Sequence, residues 1–120
     1  FEAGSPNTVG QAAFHASVAL LLDFGMDYVG DRVLANTRYL LERLGQIPGT
    51  RIHSRRTHER LSGIVSFSHG SIPSEDLNRR LTGAGVSAVT RNGSIRLSPH
   101  FYQGEEQMGK VLEIIEKALS

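Results

Sequence analysis

Apolar and polar positions alternate with different periods along the chain, and each change of period predicts a new helix or strand. Over residues 8–24 apolar side chains surround most of a helical circumference, and Gly25 follows as a helix-ending residue. Thr8 with Gln11 forms a possible capping box at the start of this helix. A helix that is apolar nearly all round is usually buried on several sides, so we predict that one side meets something outside this chain.

The period of the next segment, 27–45, is that of an amphipathic helix, with leucines and valines on one stripe and arginines largely off it. Asp27 is predicted to cap this helix and Gly45 to end it, before a turn at Pro48-Gly49. Further elements are predicted as strands at 50–53, 63–68, 86–90 and 94–98, a loop at 54–60, and helices at 74–83 and 105–119.

Asn92-Gly93 between the last two strands is a strong signal for a type I′ hairpin, because both positions need positive φ. The predicted order is ααββαββα, and these short strands lack the crossovers of a parallel sheet. We therefore predict an α+β fold with a small antiparallel or mixed sheet of three to four strands, covered by helices on one face.

Composition narrows the possible functions. The chain has 13 basic and 12 acidic residues, a balance that gives no argument for nucleic acid or a membrane surface as partner. It has no Cys, which excludes a disulfide, a thiolate metal site and a cysteine nucleophile within these residues, and agrees with a cytoplasmic location. The chain opens at Phe1 rather than Met, and we interpret it as an excised domain.

Three features could carry chemistry, and each has a simpler explanation. Arg96 alternates with Ile95 and Leu97, so it points away from the core. It is either a solvated arginine or one that is held in place to bind a carboxylate. Composition alone favours the solvated arginine. Gly4 and Ser5 precede a helix and could hold a phosphate, although such residues usually only cap the helix. The basic stretch 51–60 lacks interleaved aromatics, which favours a solvated loop over an RNA site.

Five segments in order, FEAGSPN, GMDYVGDRV, YLLERLGQIPGTRI, LSGIVSFSHG and GSIRLSPHFYQGEE, resemble the C-terminal part of class V aminotransferase-like enzymes. These are fold-type-I pyridoxal-phosphate enzymes that include cysteine desulfurases and isopenicillin-N-epimerase-like proteins. The resemblance covers essentially the whole chain. It implies a dimeric, cytoplasmic parent enzyme that acts on an amino acid and holds pyridoxal 5′-phosphate on a lysine of a large N-terminal domain.

Neither lysine of this chain, Lys110 or Lys117, matches that lysine motif. The resemblance therefore implies that residues 1–26 are a connecting segment with an interface helix, and that 27–120 are the C-terminal small domain. The isolated chain is then expected to be inactive, to bind no cofactor and no metal, and to contain no catalytic residue.

The resemblance also implies roles for particular residues. Arg96 matches the arginine that binds the substrate carboxylate, and His100 is expected to line the same pocket. Gly4 and Ser5 match a segment near the cofactor phosphate of the partner subunit in the homodimer. Before the last helix, Gln103-Gly104 replaces a better helix cap found in relatives.

One departure bears on the reaction. Desulfurases carry a nucleophilic Cys on a loop that corresponds here to 91–93, a short turn without Cys. The comparison therefore favours the epimerase-like or aminotransferase-like branches. Arg91 in this turn is more simply a solvated residue than a second positive charge near the substrate. Two alternatives of another class stay open, a free-standing α+β ligand-binding or protein-interaction module, and an adaptor that docks through its first helix.

Overall fold

The computed structural model describes residues 4–55, 57 and 60–120. The order ααββαββα and the α+β class are both confirmed. The elements are α1 (Thr8–Phe24), α2 (Met26–Gln46), β1 (Thr50–Ile52), β2 (Val65–His69), α3 (Ser74–Gly83), β3 (Val89–Arg91), β4 (Ser94–Leu97) and α4 (Glu105–Leu119). No single helix in the described ranges is long and apolar enough to cross a membrane; α1 and α2 pass on length and composition only as a broken pair.

The helix starts differ from the prediction in their capping residues. Asn7, rather than a box of Thr8 and Gln11, caps α1: its side-chain oxygen accepts a hydrogen bond from the Gly10 amide at 2.9 Å. Gly25 ends α1 with a φ of 84°, and α2 begins at the next residue. Asp27 therefore lies inside the first turn of α2, where its charge suits the helix dipole, instead of capping it.

The chain divides into two compact units, Phe1–Asp31 and Arg32–Ser120. In the first unit, no residue of α1 is buried. Large apolar side chains of this helix are exposed, among them Val9 at 80%, Phe14 at 72% and Leu22 at 64%. That one side of α1 meets something outside this chain stays a prediction.

The second unit is built on a four-stranded antiparallel sheet in the order β1-β2-β4-β3. One face of the sheet carries the buried core side chains of β2 and β4, and helices α2, α3 and α4 supply the rest of the core. The fully buried core residues include Leu40, Leu44, Val65, Phe67, Leu77, Leu81, Ile95 and Ile115. The opposite face, called the outer face below, carries the polar residues of the same strands.

The β3–β4 hairpin closes through a two-residue turn, as predicted. Asn92 and Gly93 have φ of 51° and 71°, and Arg91 pairs with Ser94 across the turn. Strand β3 is shorter than the predicted 86–90, because the Val86 amide donates to the Leu81 carbonyl at 2.9 Å. That bond completes the end of α3, so Val86 is not part of the sheet ladder.

Candidate anion-binding site

Arg96 lies on the outer face at the centre of the sheet. Strand β4 is flanked on both sides, and the register pairs Arg96 with Ser66 on β2 and with Val89 on β3. Its neighbours along β4, Ile95 and Leu97, are buried on the core face, while Arg96 is half-buried. The predicted alternation of β4 is therefore confirmed, and Arg96 is partly covered instead of fully exposed.

A cavity of about 520 Å³ lies over this face beside the hairpin. Its walls come from the segment after β1, the start of β2, the hairpin turn and β4. The lining residues are His53, Ser54, Arg55, Arg60, Ser62, Ile64, Ser66, Arg91, Asn92, Ser94 and Arg96. Four are arginines and none is an aspartate or glutamate, so in the described chain this cavity carries one sign of charge.

Serine side chains connect the floor of the cavity. The Ser66 hydroxyl donates to the Ser94 hydroxyl at 3.2 Å, and the Ser94 hydroxyl donates to the Arg91 carbonyl at 2.9 Å. On the other side of β2, after β1, the Ser54 hydroxyl accepts a hydrogen bond from the Ser66 amide at 2.7 Å and donates one to the Ile64 carbonyl at 3.0 Å. These bonds tie the hairpin turn, Ser54 and the start of β2 to one floor of small side chains, which leaves room above them for a ligand.

No arginine of the cavity has a carboxylate partner among the residues that the structure describes. The ion pairs found there join Arg79 to Asp76 and Lys110 to Glu106, both on helices away from the cavity. Arg96 accordingly has a guanidinium fork available for an acceptor from outside the chain. A planar fork with paired N–H donors is the geometry that binds a carboxylate or phosphate through two bonds.

His100 lies in the segment between β4 and α4 and is not among the residues that line the Arg96 cavity. Its ring stacks on Tyr102 with 4.7 Å between ring centroids. Its Nδ1 is buried and has no hydrogen-bond partner in the described structure. The predicted substrate contact of His100 is therefore not visible within this chain and stays a prediction.

Asn36, a buried residue of α2, holds this same segment in place. Its side-chain nitrogen donates to the carbonyls of His100 at 3.0 Å and Gln103 at 2.9 Å. Arg32, one turn earlier, also donates to the Gln103 carbonyl at 3.2 Å. Gln103 in turn accepts from the His100 amide at 2.8 Å through its side chain. The segment that follows Arg96 is thus fixed by polar contacts from α2.

Gly4 and Ser5 are both exposed, just ahead of the Asn7 cap, and Gly4 has a φ of 106°. The helix entry is satisfied by Asn7 alone. A phosphate-binding role for the two residues stays a prediction.

The sequence did not indicate that His53, Arg55 and Arg60 share a cavity with Arg96, because they are separated from it by more than thirty positions. The basic composition of 51–60 was the available signal, and it was interpreted as a solvated loop. Arg56 and His58 of that stretch lie outside the described residues. Asn36 was also missed, although an Asn inside an amphipathic helix, where it is a poor helix former, is a usable signal.

Among the described residues, the cavity on the outer face of this helix-backed sheet is lined by arginines and by no acidic residue, a lining that suits an anion. The family model for aminotransferase class-V matches residues 1–108. The chain belongs to the aminotransferase class-V family, and the resemblance to class V pyridoxal-phosphate enzymes is confirmed.

Individual relatives agree with the family. A cysteine desulfurase of Salmonella agona (strain SL483) is 32% identical over 90 residues, which are 75% of this chain and 21% of that protein. The apo cysteine desulfurase of Thermococcus onnurineus NA1 has a similar fold, with a TM-score of 0.88, 21% identity, and coverage of 98% of this chain and 32% of that one. A C-DES mutant with glycine covalently linked to its PLP cofactor has a TM-score of 0.63 and 19% identity, over 71% of this chain and 22% of that one.

The chain thus spans about a fifth of the length of the curated relatives it matches. Lys110 is exposed and paired with Glu106, Lys117 is exposed near the end of α4, and neither lines the Arg96 cavity. The arginines and hydroxyls of the cavity fit the acidic group of a substrate, whereas a covalent bond to the cofactor needs a lysine that the cavity lacks.

Proposed function

We propose that the chain is the C-terminal part of a pyridoxal-phosphate-dependent class V enzyme that acts on an amino acid, and that Arg96 binds the substrate carboxylate. The observation that carries this proposal is the half-buried Arg96, which has no acidic partner among the described residues, in a cavity of about 520 Å³ whose described lining contains no acid. A surface arginine on an ordinary strand needs neither feature. Family membership supports the class of enzyme, and the lining of the cavity supports Arg96 as the residue that would bind the carboxylate.

When bound, the cofactor supplies the electron sink for bond cleavage at the substrate Cα. The contribution of this chain is positioning. A two-bond contact from Arg96 fixes the carboxylate and so the direction of the bonds at Cα. Because the cavity walls partly exclude water, the ion pair is stronger than it would be in bulk solvent. Asn36 keeps the segment after β4 in place, and with it the C-terminal end of the strand that carries Arg96.

The reaction type is a separate question. The curated relatives are named cysteine desulfurases, but this chain has no Cys, and its β3–β4 turn contains only Asn92 and Gly93. We therefore propose transamination, racemisation or elimination, and not a persulfide mechanism that uses a thiol of this segment. The proposed assembly keeps residues 1–26 as connecting segment and interface helix, with 27–120 as the small domain of a cytoplasmic homodimer. Gly4 and Ser5 would then face the partner subunit's cofactor phosphate.

The test is the change Arg96→Ala in the whole protein that contains this chain. The proteinogenic amino acids are screened first, and the best substrate is then compared with the amine that lacks its carboxylate. Loss of the contact should raise KM for the amino acid by a factor that corresponds to about 2–4 kcal/mol, and leave the amine unaffected. Arg96→Lys should recover part of the loss, because a lysine keeps the charge but not the fork.

Arg51→Ala is the matched control, since Arg51 lies on the same outer face, opposite Ser68, but does not line the cavity. Its KM values should equal those of the unmodified protein. Unchanged kinetics in Arg96→Ala, or an equal loss for the amino acid and the amine, would return Arg96 to the role of a solvated surface residue.

A further inference from the structure

The cavity holds more positive charge than one carboxylate requires. Arg55, Arg60 and Arg91 line it together with Arg96, and His53 also lies in its wall. Like charges around one concave surface repel each other, and low-dielectric walls concentrate their field. Arg55, Arg60 and Arg91 are exposed to water, and none of the four arginines has a carboxylate partner among the described residues, so an anionic group that enters the cavity would meet a surplus of positive charge.

Arg91 is the best placed of the additional arginines. The register pairs Val89 with Arg96 and Arg91 with Ser94, so Arg91 lies on the same outer face and diagonally across from Arg96. Diagonal neighbours of an antiparallel pair are about 7–8 Å apart, a separation that long side chains can bridge, so both guanidinium groups can approach one ligand with two acidic groups. The hydrogen bond from Ser94 to the Arg91 carbonyl fixes the turn to the cavity floor.

A single carboxylate occupies one guanidinium fork, and the α-carboxylate is already assigned to Arg96. We propose that the cavity selects an amino acid with a second anionic group, which Arg91 binds with support from Arg55 and Arg60. The inference rests on the proposed function, because it takes Arg96 as the carboxylate anchor. It adds the substrate class: an acidic amino acid, or one that carries a sulfonate or phosphate in place of the second carboxylate.

Inhibitor-like probes test this inference without knowledge of the reaction. Succinate and glutarate are titrated against the whole protein by calorimetry, with butyrate as the monocarboxylate reference and inorganic phosphate as a separate arm. The variants are Arg91→Gln for the second subsite, Arg96→Gln for the anchor, and Arg51→Gln as an outer-face control that does not line the cavity. Arg91→Lys is added in case Arg91→Gln fails to fold, as judged by circular dichroism.

The better dicarboxylate should bind the unmodified protein about tenfold to a hundredfold more tightly than butyrate, because it gains a second charge-assisted contact. Arg91→Gln should remove most of that preference without changing the Kd of butyrate. Arg96→Gln should weaken both classes of probe, and Arg51→Gln neither. The preference should also fall with added salt more steeply than butyrate binding does.

Different results would contradict the carboxylate anchor at Arg96 and the second anionic subsite at Arg91. If butyrate and the dicarboxylates bind equally and both depend on Arg96, the second subsite is wrong and the carboxylate anchor stands. If no probe depends on Arg96, the anchor itself fails. Loss of butyrate binding in folded Arg91→Gln would mean a general field effect and would overturn the subsite. Phosphate binding that needs Arg91, without any preference for dicarboxylates, would assign the surplus charge to a phosphate and overturn the acidic-substrate proposal.

Discussion

Asn36 is the buried side chain on which the position of the segment after Arg96 most depends. Its two hydrogen bonds reach carbonyls that would otherwise lack part of their hydrogen bonding inside the protein. Each carbonyl keeps a second donor, the Gln103 amide for His100 and Arg32 for Gln103, so the loss is that of two ordinary hydrogen bonds, about 1–3 kcal/mol together. Asn36→Ala should therefore lower the free energy of unfolding by about that amount, as measured by urea denaturation.

Arg38→Ala is the control for this prediction, because Arg38 is an exposed residue of the same helix. Its effect should stay within about 0.5 kcal/mol. An Asn36→Ala loss no larger than that of Arg38→Ala would show that the contacts to His100 and Gln103 contribute little to stability.

At the residue scale, local patterns predicted the face of the sheet on which a side chain lies, but not the residues that surround it. Alternation along β4 correctly placed Arg96 on the outer face, because strand side chains point to opposite faces in turn. The neighbours of Arg96 in the cavity include His53, Arg55 and Arg60, which are brought there by tertiary structure without a local signal. Arg91 lines the cavity and is exposed, so its prediction as a solvated turn residue is not contradicted.

The β3–β4 hairpin is the element that local chemistry determines most directly. Gly93 has a φ of 71°, and a Cβ added there meets no atom within 4 Å. The cost of Gly93→Ala is thus conformational and should be about 1 kcal/mol of unfolding free energy. Gly83 in α3 also has open space, but with no positive φ, so Gly83→Ala should stabilise by roughly 0.5 kcal/mol. Thermal and urea unfolding of the pair would contradict this account if both variants shifted stability in the same direction.

Helices were easier to predict than strands at the element scale. The bounds of α1 and α4 match the sequence pattern closely. A long apolar run marks α1, and an acidic first turn followed by an amphipathic pattern marks α4. Strand β3 was misplaced because Val86, a good strand residue, bonds to the end of α3 instead. Whether Val86 belongs to the end of the helix or to the start of the strand depends on this one hydrogen bond, which residue propensities do not encode.

For the whole molecule, the class and the order of elements could be predicted, but the sheet order could not. The pairing of β2 with β4 joins strands separated by α3 and β3, and no local signal distinguishes it from other antiparallel arrangements. That pairing creates the site, since it brings Ser66 beside Arg96 and closes the cavity floor. The exposed apolar residues of α1 follow from composition, whereas a surface that would cover them belongs to the proposed assembly.

The final prediction concerns which part of the enzyme binds the cofactor. Because neither lysine lines the Arg96 cavity, the isolated 120-residue chain mixed with pyridoxal phosphate should show no saturable Schiff-base absorbance. Weak reaction at the exposed lysines should rise in proportion to the cofactor and disappear in the double variant Lys110→Arg, Lys117→Arg. The whole protein should show the absorbance at one cofactor per chain, and the same double change should leave it intact. Saturation of the isolated chain at one cofactor per chain would instead locate the cofactor site within these residues, and the proposed role as a carboxylate-binding domain would have to be abandoned.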